Sequence, residues 1–324
     1  MGQKKVYVTR EIPVAGLNIL AEKFEVDVNP DDRPLTREEL LEAASDADGI
    51  LCLLTDKIDG ELMDQLPNVK GYAQYAVGYD NINVPDATAR KIPVSNTPGV
   101  LTDATAEMAW ALLFAAGRRI VESDAVMRSG SWAGWGPMQF IGGDVTGTTL
   151  GLIGAGRIGT AMALKSKGFA MNVLYTDAFV NETLEKELGA RRVELDELLA
   201  EADYVSVHVP LLESTRHLMS TPQFKAMKKT AYLINTSRGP VVDEAALVEA
   251  LRNGEISGAG LDVYENEPRM APGLAELKNV VICPHTASAT VSSRNGMAVK
   301  AAENLIAMLE GTTPPDCLNP EVLA

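Results

Sequence analysis

The sequence predicts an α/β protein built on doubly wound parallel sheets, and three observations carry that prediction. Short apolar runs alternate with helix-patterned stretches along almost the whole chain; one interruption divides the alternation into two consecutive units; and the second unit opens on Gly154-x-Gly156-x-x-Gly159 directly after an apolar run. Strands that alternate with helices are joined by crossovers, which set the strands parallel and cover both sheet faces.

In the first unit, strands are expected at about Lys5 to Thr9, Phe24 to Val28, Ile50 to Leu54, Gly71 to Val77 and Ile92 to Ser95. Helical patterns lie between them, and the one from Thr36 to Ala44 starts with Thr36-x-x-Glu39, the form of a capping box. The turn cluster Asn96-Thr97-Pro98-Gly99 follows. A helix is then expected from about Asp103 to Met127, apolar nearly all round from Ala109 to Ala116 and therefore buried between layers. Ser129 to Gly143, rich in Gly and Trp, reads as an irregular loop.

The second unit begins with a buried strand, Thr148 to Ile153. In the motif that follows, Gly154 permits the tight turn, Gly156 lets the backbone approach a pyrophosphate, and Gly159 allows helix and sheet to pack closely. The helix opening near Arg157 turns its first N–H groups and its positive dipole end to the phosphates. Asp177 stands where the next strand ends, placed to accept hydrogen bonds from a ribose 2′-hydroxyl and to repel a phosphate there, so NAD is expected and NADP disfavoured. Further strands are expected at Tyr204 to Val209, Ala231 to Asn235, Gly260 to Val263 and Val280 to Cys283, about six in all, with helices such as Asp243 to Asn253 between. A long helical pattern from about Val291 to Leu309 and a Pro-rich tail complete the chain.

Composition narrows the function. At 324 residues the chain has room for two domains, and 46% hydrophobic with 23% charged residues is ordinary for a globular protein. No apolar stretch reaches the roughly 18 residues of a membrane span, and MGQKKVYVTR lacks a secretory h-region, so a cytoplasmic protein is expected. Three scattered cysteines, Cys52, Cys283 and Cys317, suit neither a disulfide framework nor a zinc site, and no metal is expected. The net charge of −15 argues against nucleic acid and anionic membranes as partners. Any site for an acidic substrate must then be locally basic.

In an open parallel sheet, ligands bind beyond the carboxyl ends of the strands. There the second unit places Thr236, Ser237 and Arg238, then Asp262 with Glu267 beyond it, then Pro284 and His285. Their chemistry suits hydride transfer to a 2-oxo acid. An imidazolium at His285 can protonate the carbonyl oxygen as charge develops, and a carboxylate such as Glu267 keeps that imidazole charged. Arg238 stays charged at any working pH, and its fork can hold a carboxylate while polarising the carbonyl. Asp262 suits a hydrogen bond to the nicotinamide amide or an ordering role. Each residue also has an ordinary reading: a structural histidine, two loop acids on a solvated face, a turn arginine ahead of Gly239-Pro240. Their convergence on one sheet edge is what those readings explain poorly. Of the other histidines, His208 and His217, the former lies in a strand run and reads as a core residue.

The runs LGLIGAGRIG, INTSRGPVVDE, LDVYENEP, CPHTASAT, YAVGYDNINV and NTPGVLTDATAEMAWALL resemble the D-isomer-specific 2-hydroxyacid dehydrogenase family over almost the whole chain, and within it the glyoxylate and hydroxypyruvate reductases. The resemblance implies that Arg238, Glu267 and His285 are the catalytic set, with His285 as acid/base and Glu267 as its partner. It implies cofactor contacts at Gly154, Gly156, Arg157, Ile158, Gly159, Asp177, Pro210, Thr236, Ser237, Asp262 and Ser288, with Thr105 near the nicotinamide. Val77 and Gly78 resemble backbone donors to the substrate carboxylate, although a plain strand-to-helix turn also accounts for the glycine; Leu53, in LLTD, resembles a substrate-side wall. GWGPM, with Trp135, resembles a loop that packs towards the partner subunit's active site, or simply an interface.

The resemblance also implies the architecture: two Rossmann-like or flavodoxin-like parallel-sheet domains, the substrate domain discontinuous (1–99 and 287–324) around an NAD-binding domain (100–286), assembled as a homodimer through the long helix from Asp103. Such domains close by a hinge that excludes water and brings Val77 and Gly78 towards Arg238. Reduction of a small 2-oxo acid, glyoxylate or hydroxypyruvate, by NADH is the favoured activity. A phosphoglycerate-type or broad 2-oxo acid dehydrogenase remains the alternative, and beyond catalysis an NADH-sensing binding protein of the co-repressor type.

Overall fold

A computed structural model of the chain describes residues 3–323. The chain divides into two compact units, Met1–Leu101 with Ala289–Ala324, and Thr102–Ser288.

The first unit holds a parallel sheet of β1 (Lys5–Val8), β2 (Glu25–Val28), β3 (Gly49–Cys52), β4 (Tyr72–Gln74) and β5 (Val94–Ser95) in the order β2-β1-β3-β4-β5. Four short helices alternate with them: α1 (Val14–Ala21), α2 (Arg37–Ala43), α3 (Gly60–Gln65) and α4 (Val84–Ala89). The capping box at α2 is formed in both directions, Glu39 N–H to Thr36 Oγ1 at 3.2 Å and Thr36 N–H to Glu39 Oε2 at 2.8 Å. The 20-residue helix near the end of the chain, Val291–Glu310, belongs to this unit because Ala298, Ala301, Ala302, Leu305 and Leu309 make a buried stripe. It lies so close to α1 that a Cβ at Gly16 would sit 2.5 Å from Ala298 O.

The second unit carries α5 (Thr102–Gly117) and α6 (Ile120–Arg128), then a seven-stranded parallel sheet: β6 (Thr149–Ile153), β7 (Asn172–Thr176), β8 (Arg191–Arg192), β9 (Tyr204–Val207), β10 (Tyr232–Asn235), β11 (Gly258–Leu261) and β12 (Val280–Ile282). Between them run α7 (Arg157–Lys165), α8 (Glu182–Leu188), α9 (Leu195–Glu201), α10 (Thr221–Ala226) and α11 (Glu244–Arg252), and the terminal helix is α12. The order β12-β11-β10-β9-β6-β7-β8 reverses direction between β6 and β9, the switch point at which open sheets bind ligands.

Two expectations change. The sheet has a seventh strand, because β8 is two exposed arginines paired with Leu174 and Tyr175 at the sheet edge, with no apolar signal of its own. The expected continuous helix from Asp103 to Met127 is two helices. It breaks where the Gly143 N–H takes the carbonyl of Gly117 at 2.8 Å and Arg119 turns left-handed at φ 52°. The α5 segment is the buried one; α6 buries no side chain. Among the described residues no helix is long and apolar enough to cross a membrane.

Candidate active site

At the switch point the chain leaves β6 through Gly154 at φ +96°, where a Cβ would stand 2.9 Å from the backbone of His208. Gly156 caps α7 and has open space where a side chain would be, so its backbone is approachable; Arg157 and Ile158 form the first turn. A Cβ at Gly159 would lie 2.3 Å from Gly154 O, so helix and turn touch only through glycine. Asp177 follows β7 directly, and its carboxylate accepts from Ala155 N–H at 2.7 Å and Phe179 N–H at 3.1 Å. The acid therefore also ties the glycine turn to the next strand. Asn181 Nδ2 adds a bond to Ala155 O at 2.8 Å, a support that no spacing rule singled out.

His208 and Pro210 follow β9. Burial depresses the His208 imidazole to about 4, and it rests on Ser206 Oγ at 2.9 Å, so this histidine is a neutral structural group. After β10, Asn235 Oδ1 accepts from Ser237 N–H and Oγ at 3.0 and 2.9 Å, and Asn235 Nδ2 donates to Arg238 O at 3.0 Å. Arg238 Nη1 in turn donates to Ser237 O at 2.9 Å. Thr236 is buried, and no partner reaches its hydroxyl among the described residues.

Asp262 follows β11, fully buried. Its carboxylate accepts from Thr286 N–H at 2.8 Å and Ala287 N–H at 2.7 Å, and its carbonyl accepts from His285 N–H at 2.8 Å. Burial pushes this carboxyl above the usual carboxylate range, against the pull of those bonds. The contacts make Asp262 the anchor of the turn that holds His285 at φ +55°, a left-handed conformation uncommon outside glycine.

Glu267 Oε2 lies 2.9 Å from His285 Nδ1, and Oε1 accepts from Tyr264 N–H at 3.0 Å. A carboxylate only accepts, so Nδ1 carries the hydrogen of that bond, and Nε2 is the nitrogen that can exchange a proton. Burial works to raise the Glu267 carboxyl, but the bond and charge of His285, Tyr264 N–H and Arg238 together bring it below its ordinary range. Because β10, β11 and β12 are neighbours in the sheet, Arg238, Asp262 and His285 stand on adjoining strand ends.

In the first unit, Leu53 follows β3, and Val77 and Gly78 lie in the loop after β4, the strand next to it. Thr105 is buried in the first turn of α5, Ser288 is partly exposed at the end of the second unit, and Trp135 is 83% exposed in the loop after α6.

The residues fit a nicotinamide dinucleotide. The approachable backbone at Gly156, the N–H groups opening α7 and the orphaned Thr236 hydroxyl are features such a ligand uses and a closed core does not need. A dinucleotide cradle and a carboxylate–imidazole pair at the carboxyl edge of one sheet define the class: a nicotinamide-dependent oxidoreductase.

Comparison with known proteins narrows the class. Residues 110–287 match the NAD binding domain of the D-isomer specific 2-hydroxyacid dehydrogenases. The chain is 51% identical to the glyoxylate reductase of Korarchaeum cryptofilum over 98% of its own length and 97% of that protein's. Among solved structures, a protein of Thermus thermophilus matches with a TM-score of 0.91 at 44% identity, covering 97% of this chain and 99% of that one. The NADPH-dependent glyoxylate/hydroxypyruvate reductase of Sinorhizobium meliloti matches with a TM-score of 0.86 at 34% identity, covering 98% of both chains. This chain belongs to the D-isomer specific 2-hydroxyacid dehydrogenase family. It is an enzyme that couples NAD(P) to the reduction of a 2-oxo acid.

Proposed function

We propose that the enzyme reduces glyoxylate, with hydroxypyruvate as a second substrate, to the 2-hydroxy acid, and that NADH is its reductant. The Glu267–His285 contact at 2.9 Å carries this reading, because it orients an imidazole for proton exchange at the carboxyl edge of the same sheet that carries the glycine cradle. The bound nicotinamide supplies hydride to the carbonyl carbon. His285 Nε2 gives its proton to the carbonyl oxygen, and Glu267 stabilises the imidazolium before the transfer. Arg238 polarises the carbonyl and pairs with the substrate carboxylate. The Val77 and Gly78 N–H groups also bind that carboxylate, and Leu53 limits substrate size.

The cofactor is held at Gly154, Gly156, Arg157, Ile158, Gly159 and Asp177, with Thr105, Pro210, Thr236, Ser237, Asp262 and Ser288 lining the remainder. The Asp177 carboxylate supports NAD over NADP, since a 2′-phosphate would meet a second negative charge. We place the substrate-binding domain at residues 1–99 and 287–324 and the NAD-binding domain at 100–286. The exposed apolar side chains of α6 and the loop after it, Trp135 among them, support a homodimer. Three free thiols suit a reducing cytoplasm.

The test is a side-by-side steady-state screen of glyoxylate, hydroxypyruvate, pyruvate and larger 2-oxo acids with NADH and with NADPH. The reading requires the highest kcat/KM for glyoxylate or hydroxypyruvate with NADH. Tight NADH binding with no turnover on any 2-oxo acid would sink it.

A further inference from the structure

Three consecutive carbonyls in the loop after β4 are each held by a donor of the first unit. Thr97 N–H donates to Ala76 O at 2.9 Å, Asn96 Nδ2 to Val77 O at 2.7 Å, and Gln74 Nε2 to Gly78 O at 3.2 Å. In a trans peptide the carbonyl and the next residue's N–H point in opposite directions, and these peptides are trans. Holding the carbonyls of Ala76, Val77 and Gly78 therefore sets the N–H groups of Val77, Gly78 and Tyr79, aimed away from the three donors. Among the described residues no acceptor takes any of those N–H groups, and Val77, Gly78 and Tyr79 are all at least partly open to solvent.

The two side-chain donors are themselves fixed. Gln74 is fully buried; its Nε2 also donates to Asn81 Oδ1 at 2.7 Å, and its Oε1 accepts from the Cys52 thiol at 3.3 Å. Asn81 Nδ2 reaches Leu53 O at 3.0 Å and Asp56 O at 2.8 Å, so the same amide network joins the Leu53 turn to the Val77–Gly78 loop. Asn96 is buried, and its own carbonyl accepts from Asn304 Nδ2 at 3.4 Å. All the clamping groups are neutral, so they place donors toward an anion without a charge that would compete for it.

We infer that Asn96 and Gln74 are positioning residues for the substrate carboxylate: by gripping the carbonyls of Val77 and Gly78 they aim the N–H groups of Gly78 and Tyr79, and Tyr79 N–H is a third backbone donor beside those of Val77 and Gly78. The inference rests on the proposed role of Val77 and Gly78. Without the Asn96 amide the Val77–Gly78 peptide loses the bond that fixes its plane and can rotate, which withdraws the Gly78 N–H.

The experiment compares wild type with Asn96→Ala and Gln74→Leu in glyoxylate reduction at saturating NADH, with NADH affinity by fluorescence titration and melting by circular dichroism. The clamp requires KM for glyoxylate to rise about tenfold or more while kcat and NADH affinity stay within about threefold, the signature of lost substrate binding. Unchanged KM in a variant that melts cooperatively overturns it, as does a parallel loss of kcat, KM and NADH affinity. Should neither variant fold, the amide resonances of Val77, Gly78 and Tyr79 in the wild-type enzyme with NADH decide: all three shift on adding oxalate if the inference holds, and an unmoved Tyr79 overturns it. A wild type inactive on every 2-oxo acid counts against the proposed function alone, since the amide readout needs no turnover.

Discussion

Glu267 Oε2 and His285 Nδ1 stand 2.9 Å apart, and the same carboxylate is pinned at its other oxygen by Tyr264 N–H. The pair is thus oriented before substrate arrives, and the Glu267 carboxyl, held below its ordinary range, stays ionised wherever the enzyme works. Glu267→Gln keeps the shape and removes the charge that favours the imidazolium. The imidazole then lacks its carboxylate partner during proton donation, and kcat for glyoxylate should fall by roughly tenfold or more in this variant. NADH affinity should be unchanged. His285→Ala removes the proposed proton donor itself, and kcat should fall by about 10²–10⁴ at neutral pH.

Asp177 holds the turn through Ala155 N–H, and its proposed second task is to face the ribose. Asp177→Asn retains one side-chain oxygen as acceptor but not the negative charge. NADH should bind about tenfold more weakly, roughly 1.4 kcal/mol, while kcat/KM with NADPH rises. Paired titrations with both reduced cofactors measure it. A preference that does not move would assign the discrimination to another residue.

Gly239, next to Arg238, packs directly on the backbone that leads to Glu267: a Cβ there would sit 1.8 Å from Tyr264 O and 2.5 Å from Glu265 N. Gly239→Ala must push the two loops apart. An overpacking loss of about 1–3 kcal/mol is expected in urea unfolding, with kcat/KM falling further than stability alone explains because Arg238 and Glu267 separate.

The fold could be read from the chain because apolar runs at β1, β3, β6, β9 and β10 are short, continuous and separated by amphipathic helices, as doubly buried parallel strands must be. β8 escaped because its pairing is backbone alone, and the break before α6 because Gly143, far along the chain, makes it. The candidate site followed the same division. Gly154, Asp177, Arg238 and His285 stand at ends of apolar runs and were visible there. Gln74, Asn96 and Asn235 act through neutral amide bonds to nearby backbone, which leave no pattern of charge or period.

His208 sets an acid limit on stability. Its imidazole is depressed by burial from 6.5 to about 4, so the unfolded chain takes up a proton more readily than the folded one. A depressed value means that the contribution is complete above 6.5 and is lost progressively as pH falls toward 4. The loss approaches roughly 2–3 kcal/mol at about pH 4. His208→Gln, which can still meet Ser206, should show a smaller fall in unfolding free energy between neutral and mildly acidic buffer than the wild type. Equal falls would mean that other groups carry the acid sensitivity.

α6 buries none of its side chains, and Val121, Met127, Trp132, Trp135, Met138 and Ile141 are large apolar groups exposed within one short stretch. A monomer rarely leaves such a patch in water, and a stable interface needs roughly 1,200 Å² or more in total. If two copies cover it, charges placed there must be buried without partners, which costs several kcal/mol each. Val121→Glu combined with Met138→Glu should therefore reduce the mass by light scattering from a dimer to the 34.7 kDa chain. Because both positions are exposed on the single chain, its melting should stay cooperative. A wild type that already runs as a monomer at micromolar concentration would leave the patch to some other partner.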